Sequence, residues 1–135
     1  MKAILSDVNI EGHVQILINI LESAAWQGVW ALFNLQAYTF RDLGLDAKTP
    51  DVVLWQVCQQ QEVILITANR NDDGPDSLES TIRTMNTIQS LPVFTIADAD
   101  RILHSRTYAE RVVERLLDYL IDIDNYRGTG RQYLP

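Results

Sequence analysis

The alternation of apolar and polar positions along the chain predicts four strands, each followed by a helix. Short apolar segments at positions 3–5, 35–40, 63–67 and 92–96 have the length and residue types of strands. After each of them, apolar residues recur at the helical period, over about 12–25, 50–61, 78–90 and 107–124. We therefore predict one α/β domain over residues 1–124, followed by a glycine-interrupted C-terminal tail over residues 125–135.

Repeated strand–helix units with right-handed crossovers predict a four-stranded parallel sheet in a three-layer α/β/α sandwich. The expected strand order is 2-1-3-4. In this order the direction of winding reverses between the first and third strands, and open α/β sheets bind their ligands in the crevice at the carboxyl ends of such strands. We therefore expect the residues that follow the first and third strands to share a site.

Oxygen-bearing side chains follow both of these strands. Asp7 ends the first strand, while Asn69, Asp72 and Asp73 follow the third. Asp51, at the start of the helix after the second strand, faces the same edge of the sheet. Carboxylate and amide oxygens from three separate segments suit a hard divalent cation such as Mg²⁺ or Mn²⁺. The sequence therefore predicts a metal site formed by these five residues.

The aspartates also have a simpler interpretation. A carboxylate in the first turn of a helix stabilises that helix by roughly 0.3–1 kcal/mol, so Asp51 needs no metal to explain it. Polar residues that follow a core strand also form ordinary solvated loops. Both interpretations of the polar residues remain open at this point.

Composition and charge narrow the possible partners. The chain of 135 residues has 11 basic and 18 acidic side chains and a net charge of −7, which argues against a broad phosphate-binding surface. Nucleic acid would have to be bound locally or through metal ions. Charges and amides interrupt the apolar stretches and no secretory signal is recognised, so we predict a cytoplasmic protein without membrane contact. Cys58, the lone cysteine, is predicted to be a buried, unreactive thiol.

The order of these elements and two short motifs resemble the PIN-like domain family, in particular its small stand-alone members. Those proteins have Asp-Glu-Asn at the end of the first strand and Thr-x-Asp-x-Asp after a middle strand. At these places this chain has Asp7-Val8-Asn9 and Thr67-Ala68-Asn69-Arg70-Asn71. The resemblance covers residues 2–96 and implies a Mg²⁺- or Mn²⁺-dependent nuclease, usually of RNA, often the toxin of a toxin–antitoxin pair.

The chain departs from the family pattern at the centre of the implied site. Both carboxylates of the second motif are amides here, Asn69 and Asn71, and the glutamate of the first motif is Val8. An amide oxygen can ligate a metal ion but brings no negative charge. Metal-ion catalysis depends on anionic ligands that hold the ion, so these changes weaken the expected site.

Two functions therefore remain open. The first is a metal-dependent endoribonuclease with a depleted acidic site, which acts on single-stranded RNA. The resemblance places Asp7 as the first metal ligand and Asp51 as the acid carried by a helix, and Asp72 and Asp73 are candidates to replace the lost charges. The catalytic residues would then be Asp7, Asp51 and Asp72. The second is a catalytically degenerate PIN-like binding or regulatory module with a protein partner or a homo-oligomeric assembly.

Two further classes of function find little support in the sequence. No Gly-rich loop of the kind that binds nucleotide phosphates follows any predicted strand. A serine hydrolase would need a Gly-x-Ser-x-Gly turn, which the sequence lacks, and His13 and His104 are the two histidines that could act as bases.

Overall fold

The computed structural model describes residues 1–69 and 77–135. Within these ranges the chain forms five strands and six α-helices. The strands are β1 Ala3–Ser6, β2 Gln36–Tyr38, β3 Val63–Thr67, β4 Val93–Ile96 and β5 Arg131–Leu134. The helices are α1 Glu11–Leu21, α2 Gln27–Phe33, α3 Asp51–Gln61, α4 Leu78–Met85, α5 Ala99–His104 and α6 Arg106–Ile121.

The five strands form one parallel sheet in the order β2-β1-β3-β4-β5. The first four strands have the predicted order, whereas the predicted number of strands, four, is wrong. The fifth strand comes from the segment that was assigned to the tail, and it pairs with β4 from Val93↔Arg131 to Ile96↔Leu134.

Two glycines explain how the segment before β5 reaches the edge of the sheet. Gly128 and Gly130 have φ values of +86° and +85°, a left-handed conformation that other residues rarely adopt. A Cβ atom at Gly130 would lie 2.9 Å from Cγ2 of Ile82 on α4, so the backbone passes this helix closely. The glycines that interrupt the helical pattern therefore allow a turn and a close approach, and the chain then resumes as a strand.

Side chains alternate along the strands and separate two hydrophobic clusters. Ile4 packs into a larger cluster with the buried residues of α1, α5 and α6, and its neighbour Leu5 packs into a smaller cluster with those of α3 and α4. Ile64 and Leu65 divide in the same way on β3. Two sets of helices therefore cover opposite faces of the sheet, as a three-layer arrangement requires.

The described residues form two helices more than the four predicted, α2 and α5, and α4 ends at Met85 rather than near residue 90. The first helix stops at Leu21 rather than near residue 25, and a separate short helix, α2, follows it. Helix α2 ends at Phe33, and the capping residue Asn34 that follows adopts a left-handed conformation with φ of 51°. None of the helices in the described parts of the chain combines the length and the apolar character needed to cross a membrane.

Candidate functional site

Asp7 lies at the carboxyl edge of the sheet, directly after β1. Its backbone N–H donates to the carbonyl oxygen of Ile66 at 2.9 Å, so the parallel ladder fixes this residue beside the end of β3. Its Oδ2 accepts a hydrogen bond from the Thr67 hydroxyl at 3.1 Å. Its Oδ1 accepts from the backbone N–H of Asn9 at 3.5 Å, where Asp7 caps a short 3-10 helix. Neighbouring strands therefore hold the carboxylate at the carboxyl edge.

Asp51 is the first residue of α3 and reaches the same edge. Its Oδ2 accepts a hydrogen bond from Nδ2 of Asn69 at 3.2 Å, and the backbone N–H of Leu78, the first residue of α4, also donates to its carboxylate. The backbone N–H of Asn69 donates to the Thr67 hydroxyl at 2.9 Å, the same hydroxyl that donates to Asp7. Three of the predicted site residues, Asp7, Asp51 and Asn69, thus belong to one hydrogen-bonded cluster, which we call the acidic cluster.

The electrostatics of the acidic cluster favour a positive partner. Burial of the side chain is the largest cause that raises the pKa of Asp51, and the negative charge of Asp7 raises it further. The hydrogen bonds from Leu78 and Asn69 lower the pKa of Asp51 and oppose these two effects in part. Two carboxylates therefore repel each other in a partly buried site, and a cation between them would relieve that repulsion.

The described part of the acidic cluster contains two carboxylates. Asp72 and Asp73, the other predicted carboxylate ligands, lie outside the described residues, as does Asn71 of the second motif. Within residues 1–69 and 77–135, no group of three histidine, cysteine, aspartate or glutamate side chains is arranged to hold a metal ion. The oxygen donors present suit a hard cation, and further ligands would have to come from other groups or from water.

Asn69 has a role in the cluster that an aspartate could not fill. Its amide NH₂ donates to the Asp51 carboxylate, whereas an aspartate at this position would bring a third negative charge to the cluster without a donor. The amide therefore lowers the electrostatic cost of the cluster in the absence of a cation. The loss of charge noted from the sequence is thus coupled to a gain of one hydrogen bond.

Arg131 on β5 contacts the acidic cluster and was not predicted. Its side chain is 7% exposed. Its Nη1 donates to the backbone carbonyl of Asn69 at 2.9 Å and to the Thr95 hydroxyl at 2.6 Å. Its Nε and Nη2 donate to Oε2 of Glu79 on α4 at 3.0 Å and 2.7 Å. A single guanidinium thus joins β5, β4 and α4 to the backbone of Asn69.

The sequence offers no signal that singles out Arg131. It lies 62 positions from Asn69, in a segment whose glycines indicate a tail rather than a strand. The relevant observation is the pairing of β5 with β4, which places Arg131 opposite Val93, from where its side chain reaches the Thr95 hydroxyl near the carboxyl end of β4. This contact depends on tertiary structure and not on a local motif.

Cys58 lies on the buried side of α3, as predicted. It is 2% exposed, and burial raises the pKa of its thiol to about 12. A thiol with that pKa is protonated at neutral pH and is a poor nucleophile. The prediction that Cys58 is buried is confirmed, and that its thiol is unreactive stays a prediction.

Fold and site together define a parallel α/β protein with a pair of carboxylates at the carboxyl edge of its sheet. Comparison of the chain with known protein families, with curated proteins and with solved structures found no match. The resemblance to PIN-like proteins therefore depends on the order of the elements and on the two short motifs that contain Asp7 and Asn69.

Proposed function

We propose that this chain is a PIN-like, metal-dependent ribonuclease that binds Mg²⁺ or Mn²⁺ at Asp7 and Asp51. The observation that supports the proposal is the acidic cluster, in which carboxylates from β1 and α3 meet through Thr67 and Asn69. The raised pKa of Asp51, caused by burial and then by the charge of Asp7, gives a cation a favourable place. Single-stranded RNA is the proposed substrate, as in the family that the sequence resembles.

The roles of the described residues follow from their contacts. Asp7 and Asp51 would hold the ion, the Thr67 hydroxyl orients the Asp7 carboxylate, and the Asn69 amide orients the Asp51 carboxylate. A bound divalent ion would supply a Lewis acid for hydrolysis of a phosphodiester. The role of Asp72 as a catalytic residue stays a prediction, as does a cytoplasmic location.

A second candidate function is a binding or regulatory module that has lost the metal. It is favoured by the hydrogen bonds that already satisfy the carboxylates: Asp51 accepts from Asn69 and Leu78, and Asp7 accepts from Thr67. These bonds compensate both charges in part without an ion. Such a module would act through a protein partner, as in a toxin–antitoxin pair, or through association of identical chains.

Thermal melts with Mn²⁺ test the metal site. If the site binds Mn²⁺, the ion stabilises the folded state by mass action, by about 2.7 kcal/mol at 100 times the dissociation constant. We expect Asp7→Asn to abolish this stabilisation because the neutral amide cannot replace the anionic ligand. Asp118→Asn, which removes an exposed carboxylate of α6, is the matched control and should respond like the unmodified protein.

Cleavage of a labelled single-stranded RNA separates the two candidate functions. The nuclease should cut the RNA with Mn²⁺, lose that activity in EDTA, and lose it in Asp7→Asn but not in Asp118→Asn. Stabilisation by Mn²⁺ without cleavage would argue against the nuclease and leave a metal-binding module. Neither stabilisation nor cleavage would favour the degenerate module.

A further inference from the structure

A cavity of about 150 Å³ lies between α1 and the edge strand β2. Its apolar walls include Ile4 of β1, Val14 and Ile18 of α1, and Ala37 of β2. Ile4, Val14 and Ile18 belong to the larger hydrophobic cluster, so the cavity lies on the face of the sheet opposite to α3. An apolar cavity of about 150 Å³ can hold one six-membered ring such as benzene, but it is too small for a drug-sized ligand.

Three polar side chains line this cavity without a protein partner. The Ser6 hydroxyl, the Glu11 carboxylate and the Tyr38 hydroxyl make no side-chain hydrogen bond to any residue that the structure describes. Ser6 is 9% exposed, Tyr38 is half-buried and Glu11 is exposed, so these groups can bond either water or a ligand. A cavity with apolar walls and a few polar groups has the features of a small-ligand site.

The polar groups restrict the chemistry of the ligand. The Glu11 carboxylate only accepts hydrogen bonds, so the group that meets it must carry N–H or O–H donors. Among the single-ring bases of RNA, cytosine presents an amino group at N4, a donor that glutamate recognises, whereas the N3–H donor of uracil lies between two carbonyl oxygens that a carboxylate repels. The size of the cavity and the charge of Glu11 thus favour cytosine over uracil and over the two-ring purines.

A second depression adjoins the cavity and is lined by one anionic and one cationic side chain, Glu11 and Arg41. Its volume is about 310 Å³, and Glu11 and Thr39 line both spaces, while Phe40 and Arg41 line the second alone. Arg41 is exposed, and its guanidinium makes no hydrogen bond to any residue in the described ranges. A guanidinium binds phosphate oxygens in pairs, so Arg41 can hold the phosphate of a nucleotide whose base enters the cavity.

We propose that the cavity between α1 and β2 binds the base of a cytidine nucleotide, with the phosphate at Arg41, as one unit of a single-stranded RNA. The inference rests on the proposed function and specifies the substrate, because Ser6 in the cavity immediately precedes Asp7 of the acidic cluster. Bound RNA would extend from the cavity over the carboxyl end of β1 to that cluster.

Titration with mononucleotides followed by amide NMR tests the base site apart from the metal site. With EDTA present, cytidine 5′-monophosphate should shift the signals of Ser6, Gln15 and Tyr38, and it should bind more tightly than uridine 5′-monophosphate. A hydrogen bond to a charged group is worth about tenfold in affinity, so Glu11→Gln should reduce this preference to near unity. Equal binding of the two nucleotides by the unmodified protein would overturn the assignment of cytosine.

Three variants test the cavity and the phosphate contact separately. Ala37→Leu should fill the cavity and abolish nucleotide binding, while Ala31→Leu, at an exposed position of α2 outside the cavity, should not. Arg41→Gln should weaken the binding of cytidine monophosphate but leave the binding of unphosphorylated cytidine unchanged. Absence of shifts at millimolar nucleotide, or equal binding by Ala37→Leu and Ala31→Leu, would identify the cavity as a packing defect.

The variant Asp7→Asn separates the proposed base site from the proposed metal site. It should remove the response to Mn²⁺ and leave the binding of cytidine monophosphate unchanged, because Asp7 does not line the cavity. An oligocytidine should bind more tightly than the mononucleotide if an RNA strand is the ligand. Equal affinities would overturn the RNA strand as the source of the nucleotide.

Discussion

The two faces of the sheet are covered very differently. Among the described residues, the larger cluster, under α1, α5 and α6, contains twenty-four buried residues, whereas the smaller cluster, under α3 and α4, contains eleven. Burial of apolar surface is the main source of stability, so the face with the larger cluster should contribute most of it. The face with the smaller cluster should contribute less to the stability of the fold.

The acidic cluster belongs to the face with the smaller core. On β1, Asp7 continues the row of Ala3 and Leu5, and on β3, Thr67 continues the row of Val63 and Leu65, all four of which lie in the smaller cluster. Regions with fewer buried apolar contacts open more easily, and binding sites are often built there. The comparison suggests that one face stabilises the fold and the other positions the polar groups.

Paired leucine truncations should give the largest difference between the faces. Leu116 of α6 is 0% exposed in the larger cluster, and Leu54 of α3 is 4% exposed in the smaller one. Truncation of a buried leucine to alanine costs roughly 2–5 kcal/mol, depending on how far the site can relax. We expect Leu116→Ala near the upper end and Leu54→Ala near the lower end in urea unfolding. Equal losses would mean that the two faces do not differ in rigidity.

Removal of Arg131 tests the connection between β5 and the acidic cluster. Arg131→Met keeps much of the apolar stem but leaves Glu79 without its cation, and Glu79 is 36% exposed, so water compensates part of the loss. We expect a decrease of about 2 kcal/mol in the free energy of unfolding.

Glu79→Gln serves as the matched control for Arg131→Met. It removes the charge of the pair but keeps an oxygen acceptor, so it should lose about half as much stability. Backbone amide exchange at Asn69 should accelerate in Arg131→Met more than in Glu79→Gln, because Arg131 donates directly to the Asn69 carbonyl and Glu79 does not contact it. Equal exchange rates would show that Arg131 does not hold this part of the backbone.

The parts of the fold that could be predicted depend on local pattern. The run Val63–Thr67 is fully buried, and continuous burial is what an apolar β-branched segment indicates. Strand β5 has the sequence Arg-Gln-Tyr-Leu, with an alternation too weak to be distinguished from a loop. It becomes a strand because the edge of β4 offers hydrogen bonds, which no local pattern reveals.

The candidate site also has a part that could be predicted from the sequence and a part that could not. The topology of a parallel sheet brings Asp7 and Asn69 to one edge, and this part follows from the predicted order of strands. The Thr67 hydroxyl belongs to the second motif, but its bond to Asp7 depends on the register of β1 with β3, Ser6↔Ile66. Arg131 and the cavity beside α1 depend on packing between distant segments, so the sequence alone does not indicate them.

Asn69→Asp tests whether the acidic cluster is limited by charge. The change removes the donor to Asp51 and adds a third carboxylate to the described cluster, so without metal it should cost about 1 kcal/mol in the free energy of unfolding. The added charge should raise the affinity for Mn²⁺, and Mn²⁺-dependent cleavage of RNA should appear or strengthen. Calorimetry and thermal melts measure the two effects separately.

Asn19→Asp is the control for that experiment. Asn19 is exposed on α1, where its Oδ1 accepts from Gln15, a bond that an aspartate can also accept. It adds the same charge to the other face, so it should change neither stability nor Mn²⁺ affinity appreciably. If Asn69→Asp behaved like Asn19→Asp, the amide at position 69 would have no part in a cation site.

The smallest expected effect is the pH dependence of Asp51→Asn. Burial and the charge of Asp7 raise the pKa of Asp51 in the folded state above the usual 3.8. A carboxyl group whose pKa is raised in the folded state ionises more easily in the unfolded state, so its ionisation destabilises the folded state. The penalty is absent below pH 3.8, grows as pH rises to the raised pKa, and is complete above it. Asp51→Asn removes the penalty, so the variant should become more stable than the unmodified protein as pH rises above 3.8. Because Asp51 is partly exposed, we expect roughly 0.2–1 kcal/mol at neutral pH.

Asp42 provides the opposite case within the same chain. Hydrogen bonds from the backbone N–H and the hydroxyl of Thr39 lower the pKa of Asp42, so its ionised form stabilises the folded state above 3.8 and this contribution is lost as pH falls. Asp42→Asn should therefore lose stability at neutral pH, whereas Asp51→Asn should gain it, and the two variants should approach the unmodified protein in acid. Unfolding measured in urea from pH 3 to pH 7 checks both signs. A loss of stability in both variants would mean that the hydrogen bonds from Asn69 and Leu78 outweigh the repulsion by Asp7, which would remove the electrostatic argument for a cation in the acidic cluster.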